Sequence, residues 1–234
     1  SDVYKRQLKE ERSHSVSLSA DLYHTFGKVQ TNLLVEGFYT ILDDVFALRD
    51  MDDAADGGKV KERYNGSGAT VRGFNVEGRA AFTRWFELQA GVTLQQSRYR
   101  EPEYWSEDAE VPPVRRMFRT PDAYGYFTAS FKPVRNFTAD LSGTCTGSML
   151  VQHMAGSGVG QDVAVSTPSF FDMNIRLSYD VRIYKEITMQ LYGGVQNLFN
   201  AYQKDFDKGV DRDSGYIYGP SLPRSWFVGA KFSF

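Results

Sequence analysis

The chain has 234 residues, of which 41% are hydrophobic, 15% aromatic and 24% charged. The aromatic content excludes a disordered chain, and no run of 18 apolar residues predicts a transmembrane helix. With 27 basic and 29 acidic residues, a formal charge of −2 gives no field for holding nucleic acid, and one cysteine excludes an internal disulfide framework.

The first twelve residues are predicted to be a disordered or artefactual end. The chain begins with Ser1 rather than Met and carries no basic-then-apolar signal, and residues 1–7 resemble a scar of sequence assembly. The predicted fold therefore begins at residue 13.

Apolar and polar side chains then alternate with a period of two, which is the pattern of strands with one apolar face. In residues 171–183, every odd position is apolar and every even position is polar. Nine strands are predicted, near residues 16–22, 29–41, 69–82, 86–94, 123–131, 137–141, 171–183, 187–191 and 226–234.

The links between these strands alternate in length. Short links lie near residues 27–28, 83–85, 132–136 and 184–186, and long polar links near residues 43–68, 100–122, 150–169 and 200–223. Transmembrane barrels have short turns on one side, long loops on the other and aromatic girdles, and aromatic residues flank the short links here. A soluble sandwich or lipocalin-type barrel also alternates, but its loop lengths need not segregate.

The pattern thus favours an all-β, antiparallel, up-and-down transmembrane β-barrel. Complete bacterial barrels have an even number of strands, and a spanning sheet leaves no edge in lipid. About nine strands therefore predict an arc of a larger barrel.

Two stretches resemble the TonB-dependent outer-membrane receptors. Residues 192–202, YGGVQNLFNAY, are similar to that family's penultimate strand, and residues 213–224 lead into a terminal strand that ends in Phe234, as in the family. The segment from Gly37 to Phe46 is similar to a second family pattern. The resemblance implies that residues 13–234 are the C-terminal part of a barrel of about 22 strands, with the plug domain absent from this chain.

The resemblance also implies function and location. It predicts a non-enzymatic receptor in the bacterial outer membrane for TonB-dependent uptake of a large scarce nutrient, such as an iron–siderophore complex, cobalamin or a similar chelate. The expected partners are outer-membrane lipid and lipopolysaccharide, the barrel assembly machinery, the chelate, and TonB through the missing plug alone. A passive porin, a structural barrel or adhesin translocator without a plug, a glycan importer of the same family and a soluble β-sandwich remain as alternatives.

Candidate ligand contacts lie in and beside the long links, where aromatic rings could stack on a ligand and arginines could attract an anionic chelate. Residues of these types also form membrane girdles or contact lipopolysaccharide. The candidates are Tyr99, Tyr104, Trp105, Arg115, Arg116, Arg119, Tyr216 and Tyr218.

The C-terminal motif carries structural predictions. Gly193 and Gly194 remove side chains in mid-strand and permit close packing of neighbouring backbone, and Asn197 suits turn geometry. Arg224 is expected to pair with a loop carboxylate such as Asp213. The apolar side chains of the last strand are predicted to form the signal for the assembly machinery, namely Trp226, Val228, Phe232 and Phe234.

No catalytic, cofactor or metal site is predicted. Cys145 has the spacing of a nucleophile elbow, but no helical pattern follows it. The three histidines are far apart in sequence, and glycine-rich segments lack the residues of nucleotide-binding motifs. Carboxylates in residues 50–56 and 205–213 do not fit an EF-hand and are interpreted as solvated loop charge, with calcium binding as the alternative.

Overall fold

The computed structural model describes residues 10–43, 68–156, 158–206, 208–210, 212–213, 215–220 and 222–234, and the backbone of residues 2–5, 46–51 and 60–65. Within these residues no helix is long and apolar enough to cross a membrane. The strands are β1 (Asp2–Lys5), β2 (Arg12–Phe26), β3 (Val29–Asp43), β4 (Phe46–Met51), β5 (Val60–Asn65), β6 (Ala69–Phe82), β7 (Phe86–Glu103), β8 (Val114–Arg116), β9 (Ala123–Phe131), β10 (Phe137–Thr146), β11 (Leu150–His153), β12 (Val163–Ser166), β13 (Phe170–Tyr184), β14 (Ile187–Gln196) and β15 (Ser225–Ser233).

Nine of these strands form one antiparallel sheet in the order β2-β3-β6-β7-β9-β10-β13-β14-β15, which is their order in the chain. They are the nine strands that alternation predicts. Strand β8 pairs with β7, and β11 and β12 form a separate hairpin. In the described residues β2 and β15 do not pair with each other, so the sheet is open along both edges.

The segment before β2, predicted to be disordered or artefactual, contains β1, which pairs in parallel with β5. Strand β2 begins at Arg12. Residues 1 and 6–9 lie outside the described residues.

All four predicted short links are tight connections at one end of the sheet, which we call the turn end. Each contains one residue with positive φ: Gly27 at 62°, Thr83 at 59°, Asn136 at 67° and Lys185 at 43°. A left-handed residue lets an antiparallel strand pair reverse within a few residues. The opposite end, from which the long links leave, is the loop end.

Aromatic rings gather at the turn end, as the girdle pattern predicts. The Trp85 and Phe131 ring centroids lie 5.5 Å apart in an edge-on arrangement, and those of Phe82 and Phe86 lie 5.4 Å apart. Trp85 is half exposed. The cluster therefore marks the level at which an apolar surface meets water.

Strand register sorts the side chains into two faces. On one face Leu18, Gly37, Phe74 and Leu94 form a cross-strand row over β2, β3, β6 and β7. Equivalent apolar rows continue to β15, where Val228 is 90% exposed. This apolar face lacks a packing partner within the described part of the chain, and an apolar solvent such as lipid would cover it.

The opposite, polar face is cross-linked by side chains. Glu77 on β6 accepts hydrogen bonds from Gln89 Nε2 on β7 and from Tyr126 Oη on β9, the latter at 2.6 Å. Arg79 Nη2 donates to Gln89 Oε1 at 3.0 Å, and Thr93 Oγ1 on β7 donates to a β6 amide oxygen at 2.6 Å. The polar face therefore satisfies much of its own hydrogen bonding.

Candidate functional site: the outer loop layer

Three long segments meet above the loop end of the sheet and form what we call the loop layer. They are residues 104–122, 147–169 and 197–224. Position 157 in the second segment and positions 207, 211, 214 and 221 in the third lie outside the described residues. Ser106 Oγ donates to Asp162 Oδ2 at 2.5 Å, and the Met154 amide donates to Asp213 Oδ2 at 2.8 Å. Each segment is thus tied to another.

A small aromatic core holds the layer together. Val151, Tyr216 and Tyr218 are buried against one another, with Phe170 packed beside them. The imidazole of His153 stacks on the Tyr216 ring, with centroids 3.7 Å apart and planes 4° apart. Because the predicted ligand contacts Tyr216 and Tyr218 are only 2% and 6% exposed, their rings serve packing in this arrangement.

Asp205 connects the two tyrosines. Tyr216 Oη donates to Asp205 Oδ2 at 2.5 Å, and Tyr218 Oη donates to Asp205 Oδ1. Burial and the bond to Asp205 raise the pKa of Tyr218 to about 12, and the pKa of Tyr216 is raised for the same reasons. Burial opposes the charged carboxylate, but the two hydroxyl bonds hold the pKa of Asp205 below its ordinary value. The cluster is an ionised carboxylate between two neutral phenols.

Gln203 fixes the strand-like segment that carries these tyrosines. Its Nε2 donates to the Tyr216 carbonyl at 3.1 Å, and its Oε1 accepts from the Tyr218 amide at 2.9 Å. The side chain is 2% exposed. The buried Gln203 amide thus bonds one backbone carbonyl and one backbone N–H of this segment. These are hydrogen bonds that a neighbouring strand would make in a sheet.

All three predicted arginines bind backbone, and Arg115 donates from Nη2 to the Arg100 carbonyl at 3.3 Å. Arg119 donates from Nη1 to the Ile217 carbonyl at 2.8 Å and from Nη2 to the Gly215 carbonyl at 2.6 Å. Arg116 donates from Nη2 to the Ser148 carbonyl at 2.6 Å. The Arg116 and Arg119 side chains therefore join loop segments, and the Arg119 fork is aimed at carbonyl oxygens.

The other candidates are placed differently. Trp105 is 4% exposed and packs edge-on against Phe118, with ring centroids 5.3 Å apart. Tyr104 is 63% exposed and Arg115 is exposed, while Tyr99 is half-buried on the polar face near the loop end. Of the predicted set, Tyr104 and Arg115 are thus the members with the most exposed side chains outside the packed layer, and Tyr99 is partly exposed.

The C-terminal motif shows close backbone approaches. A Cβ on Gly194 would lie 2.0 Å from the Ile175 carbonyl oxygen, and one on Gly193 would lie 3.2 Å from the Phe227 carbonyl oxygen. Asn197 has a φ of 51°, and its side chain donates to two loop carbonyls and accepts from the Ala201 amide at 2.9 Å.

Arg224 does not pair with Asp213, which corrects that expectation. Arg224 Nη1 donates to the Leu198 carbonyl at 3.4 Å, and its amide donates to Asn200 Oδ1 at 3.0 Å. The Asp213 carboxylate instead accepts from the amides of Met154 and Gly215. One backbone amide from its own segment and one from residues 147–169 therefore occupy the carboxylate that the arginine was expected to use.

The last strand presents its predicted assembly signal on the apolar face. Trp226, Val228, Phe232 and Phe234 are all exposed. Cys145 is also exposed and shares this face. Within the described residues there is no group of three or more His, Cys, Asp or Glu side chains that could hold a metal ion. The carboxylates at residues 52–56 lie outside the described residues.

The Asp205 cluster was not anticipated from the sequence. Asp205 lies in a carboxylate-rich stretch that suggests solvated charge. His153 is far from the other two histidines in the sequence, so no spacing pattern draws attention to it. A weak signal exists in Tyr216 and Tyr218, whose i, i+2 spacing puts both rings on one side of an extended segment.

The family model described as TonB dependent receptor-like, beta-barrel, matches residues 2–198. No curated protein matches the sequence at a significant level.

Solved structures share the fold at low sequence identity. The ferric-catecholate import receptor Fiu from E. coli K12, in its closed form, is 18% identical with a TM-score of 0.62, over 95% of this chain and 28% of that one. The copper transporter OprC is 16% identical with a TM-score of 0.63, over 97% and 32%. The siderophore receptor PirA from Acinetobacter baumannii is 15% identical with a TM-score of 0.59, over 95% and 32%.

This chain therefore spans about a third of the length of these structures. The fold of its sheet matches a part of their structures. Proteins of this kind lie in the outer membrane of Gram-negative bacteria, and the chain belongs to the TonB-dependent receptor-like β-barrel family.

Proposed function

We propose that this chain forms barrel wall and outer loops of a TonB-dependent receptor that imports a metal chelate of the iron–siderophore or cobalamin kind, without enzymatic activity. The observation that carries the proposal is the sheet itself, with an apolar face toward lipid, a hydrogen-bonded polar face toward the lumen and a packed loop layer at one end. A packed layer restricts entry to ligands that bind it.

The substrate class is supported by two observations. The structural neighbours are named as receptors or transporters for ferric catecholate, copper and siderophore. In this chain Arg115 and Tyr104 are exposed on the loop layer, and Tyr99 lies half-buried beneath it. A cation with aromatic surface suits an anionic chelate with flat rings.

The expected partners follow from the same arrangement. TonB would act through a plug held in the lumen, against polar side chains such as those around Glu77. Lipid and lipopolysaccharide would cover the apolar face, and the assembly machinery would bind the last strand, where Trp226 is 79% exposed. No feature of the described sheet and loop residues favours a passive porin or a glycan importer.

Uptake of radiolabelled chelate tests the proposal, with the label on iron for the siderophores and on cobalt for cobalamin. The protein is expressed from its full reading frame in a host that lacks its own siderophore and cobalamin receptors, with and without TonB. Ferric catecholate, ferric hydroxamate and cobalamin are supplied in turn. We expect uptake of at least one chelate that requires TonB. Uptake without TonB, or none of any chelate by a correctly inserted barrel, would contradict the proposal.

Site variants sharpen the test. Arg115→Ala and Tyr104→Ala should weaken chelate binding about tenfold each, as expected for one lost charge-assisted or stacking contact. Arg84→Ala is the matched control, because Arg84 is an exposed arginine in a turn at the opposite end of the sheet. An equal effect of Arg115→Ala and Arg84→Ala would point to general charge rather than to a loop-layer site.

A further inference from the structure

A small cavity lies between the polar face of the sheet and the loop layer. Its volume is about 220 Å³, which is less than the roughly 300 Å³ at which pockets for drug-sized ligands begin. It therefore suits a small molecule or one end of a larger ligand. Its walls include Thr144 and Thr146 at the end of β10, Met149 and Thr167 in the second loop segment, and Phe170 and Asp172 at the start of β13.

Asp172 brings a carboxylate to this cavity. It lies opposite Thr144 in the register of β10 and β13, on the polar face. Its Oδ1 is buried and receives no hydrogen bond from a described residue, and no described basic side chain forms an ion pair with it. A buried carboxylate oxygen without a donor is costly, so a donor bound in the cavity would offset that cost.

Threonine hydroxyls supply further acceptors beside the carboxylate. The side chains of Thr144 and Thr146 form no hydrogen bond with another described residue. Each hydroxyl has two lone pairs, so both can accept from a donor placed beside Asp172. Thr144 is exposed, which makes this side of the cavity accessible from the polar face.

The rest of the wall is apolar and held in place. Met149 and Phe170 both pack against the aromatic core of the loop layer. Thr167 Oγ1 accepts from the Met149 amide at 3.1 Å, and the Thr167 amide donates to the Met149 carbonyl at 2.8 Å. Gly219 has a φ of 88°, and a Cβ there would lie 2.8 Å from the Phe170 ring, so the third loop segment closes directly on that ring. The cavity is therefore formed before any ligand enters.

The carboxylate, the hydroxyls and the apolar wall together match one chemical group. We infer that this cavity binds a primary alkylammonium group, with the nitrogen at Asp172 and the threonine hydroxyls and the methylene chain along Met149 and Phe170. An ammonium has three donors and no acceptor, and it needs an anionic partner once it leaves water. The inference rests on the cavity and does not depend on which nutrient is imported.

A second cavity on the polar face provides a contrast. Its volume is also about 220 Å³, and its lining includes Glu36 and Glu77. Glu36 Oε1 accepts from Asn75 Nδ2 at 3.2 Å, and Glu77 accepts the two side-chain hydrogen bonds described above. Its carboxylates thus already have donors from the protein, whereas Asp172 Oδ1 has none among the described residues.

Saturation-transfer NMR of the full-length receptor in detergent tests the inference, with pentylammonium and the neutral pentanol as probes. We expect pentylammonium to bind about tenfold more tightly, because it alone offers a charge-assisted hydrogen bond to Asp172. Asp172→Asn should lower the pentylammonium affinity about tenfold and leave pentanol binding unchanged. Thr146→Val, which removes one acceptor and keeps the side-chain shape, should weaken pentylammonium by a smaller factor.

Asp140→Asn is the matched control, because Asp140 is on the same face of β10 but lies opposite Arg176, nearer the turn end. Each variant is first checked for the heat-dependent gel mobility of a folded barrel. Four results would each overturn the inference: unchanged pentylammonium binding by folded Asp172→Asn, an equal loss in Asp140→Asn, equal binding of pentanol, or displacement of pentylammonium by equimolar calcium or potassium.

Competition against bound pentylammonium identifies the source of the ammonium group. The competitors are a linear ferric hydroxamate that ends in a primary amine, its N-acetylated form and a free diamine. Displacement by the amine-ended chelate and not by its acetylated form assigns the cavity to one end of a chelate, and displacement by the diamine alone assigns it to a free amine. TonB-dependent uptake of chelates without an amine is measured separately, so the proposed transport is tested independently of this cavity.

Discussion

Replacing Gly194 with alanine should weaken the contact between β13 and β14. The new Cβ would lie 2.0 Å from the Ile175 carbonyl oxygen and 2.8 Å from Phe227 Cζ. A carbon–oxygen contact needs roughly 3.3 Å, so backbone must move by more than about 1 Å or a ladder hydrogen bond must break. Overpacking of this kind costs about 1–3 kcal/mol, and a lost hydrogen bond about 1 kcal/mol more.

Backbone conformational entropy acts in the opposite direction and favours the alanine variant. Alanine loses less conformational entropy on folding than glycine, which returns about 0.5–1 kcal/mol. Gly194→Ala should therefore lower the free energy of unfolding by roughly 1–3 kcal/mol. Gly78→Ala is the matched control, because Gly78 is also in mid-strand and a Cβ there meets nothing within 4 Å. It should be neutral or slightly stabilising.

Urea unfolding of the full-length receptor, refolded in lipid vesicles and followed by tryptophan fluorescence, measures both variants. Trp226 reports on the affected region, since it pairs with Val195 next to Gly194. If the free energies of unfolding of Gly194→Ala and Gly78→Ala differ by less than about 0.5 kcal/mol, the close approach at Gly194 does not constrain this strand pair and the prediction is wrong.

Three further predictions concern the loop layer and the last strand. Asp205→Asn should destabilise the loop layer by about 1 kcal/mol, because an amide has one oxygen acceptor and leaves one of the two tyrosine hydroxyls without its bond. Hydrogen exchange at residues 215–218 should then become faster while the sheet stays protected. The raised pKa of Tyr218 favours the neutral phenol in the folded layer, so the stability it contributes is complete below pH 10 and is lost as pH rises toward about 12. Limited proteolysis should show the layer opening over that pH range. If Tyr218→Phe gives the same pH-dependent cleavage as the unmodified protein, Tyr218 is not the group responsible. Deleting Phe234 should reduce the amount of heat-modifiable barrel in the outer membrane, whereas a normal amount would count against its role as an assembly signal.

The nine-stranded sheet was predictable because most of its strands show two faces directly in the sequence, with weaker patterns near residues 29–41, 69–82 and 123–131. Residues 171–183 alternate without exception, and register carries that alternation onto neighbours, as when Leu177 pairs with Gly193. A one-residue slip would put polar side chains into the apolar face, so pattern and register determine each other.

The loop layer was less predictable, because its contacts join residues with no periodic relation. Tyr216 packs on Val151 from a distant segment, and that burial is invisible in a polar link. Arg119 and Arg224 bind carbonyl oxygens, an acceptor that every residue offers and no side-chain pattern reveals. Sequence therefore suggested ligand contacts at positions that the structure uses for packing.

The tight turns with one left-handed residue divide the sheet into four hairpins: β2–β3, β6–β7, β9–β10 and β13–β14. Closing such a hairpin restricts only a few residues, whereas joining β3 to β6 closes a link of roughly 25 residues. Loop-closure entropy rises by about 0.6 kcal/mol per doubling of length, so the second kind of pairing costs about 2 kcal/mol more. The hairpin, rather than the strand, is accordingly the unit in which this wall would be added to a growing barrel.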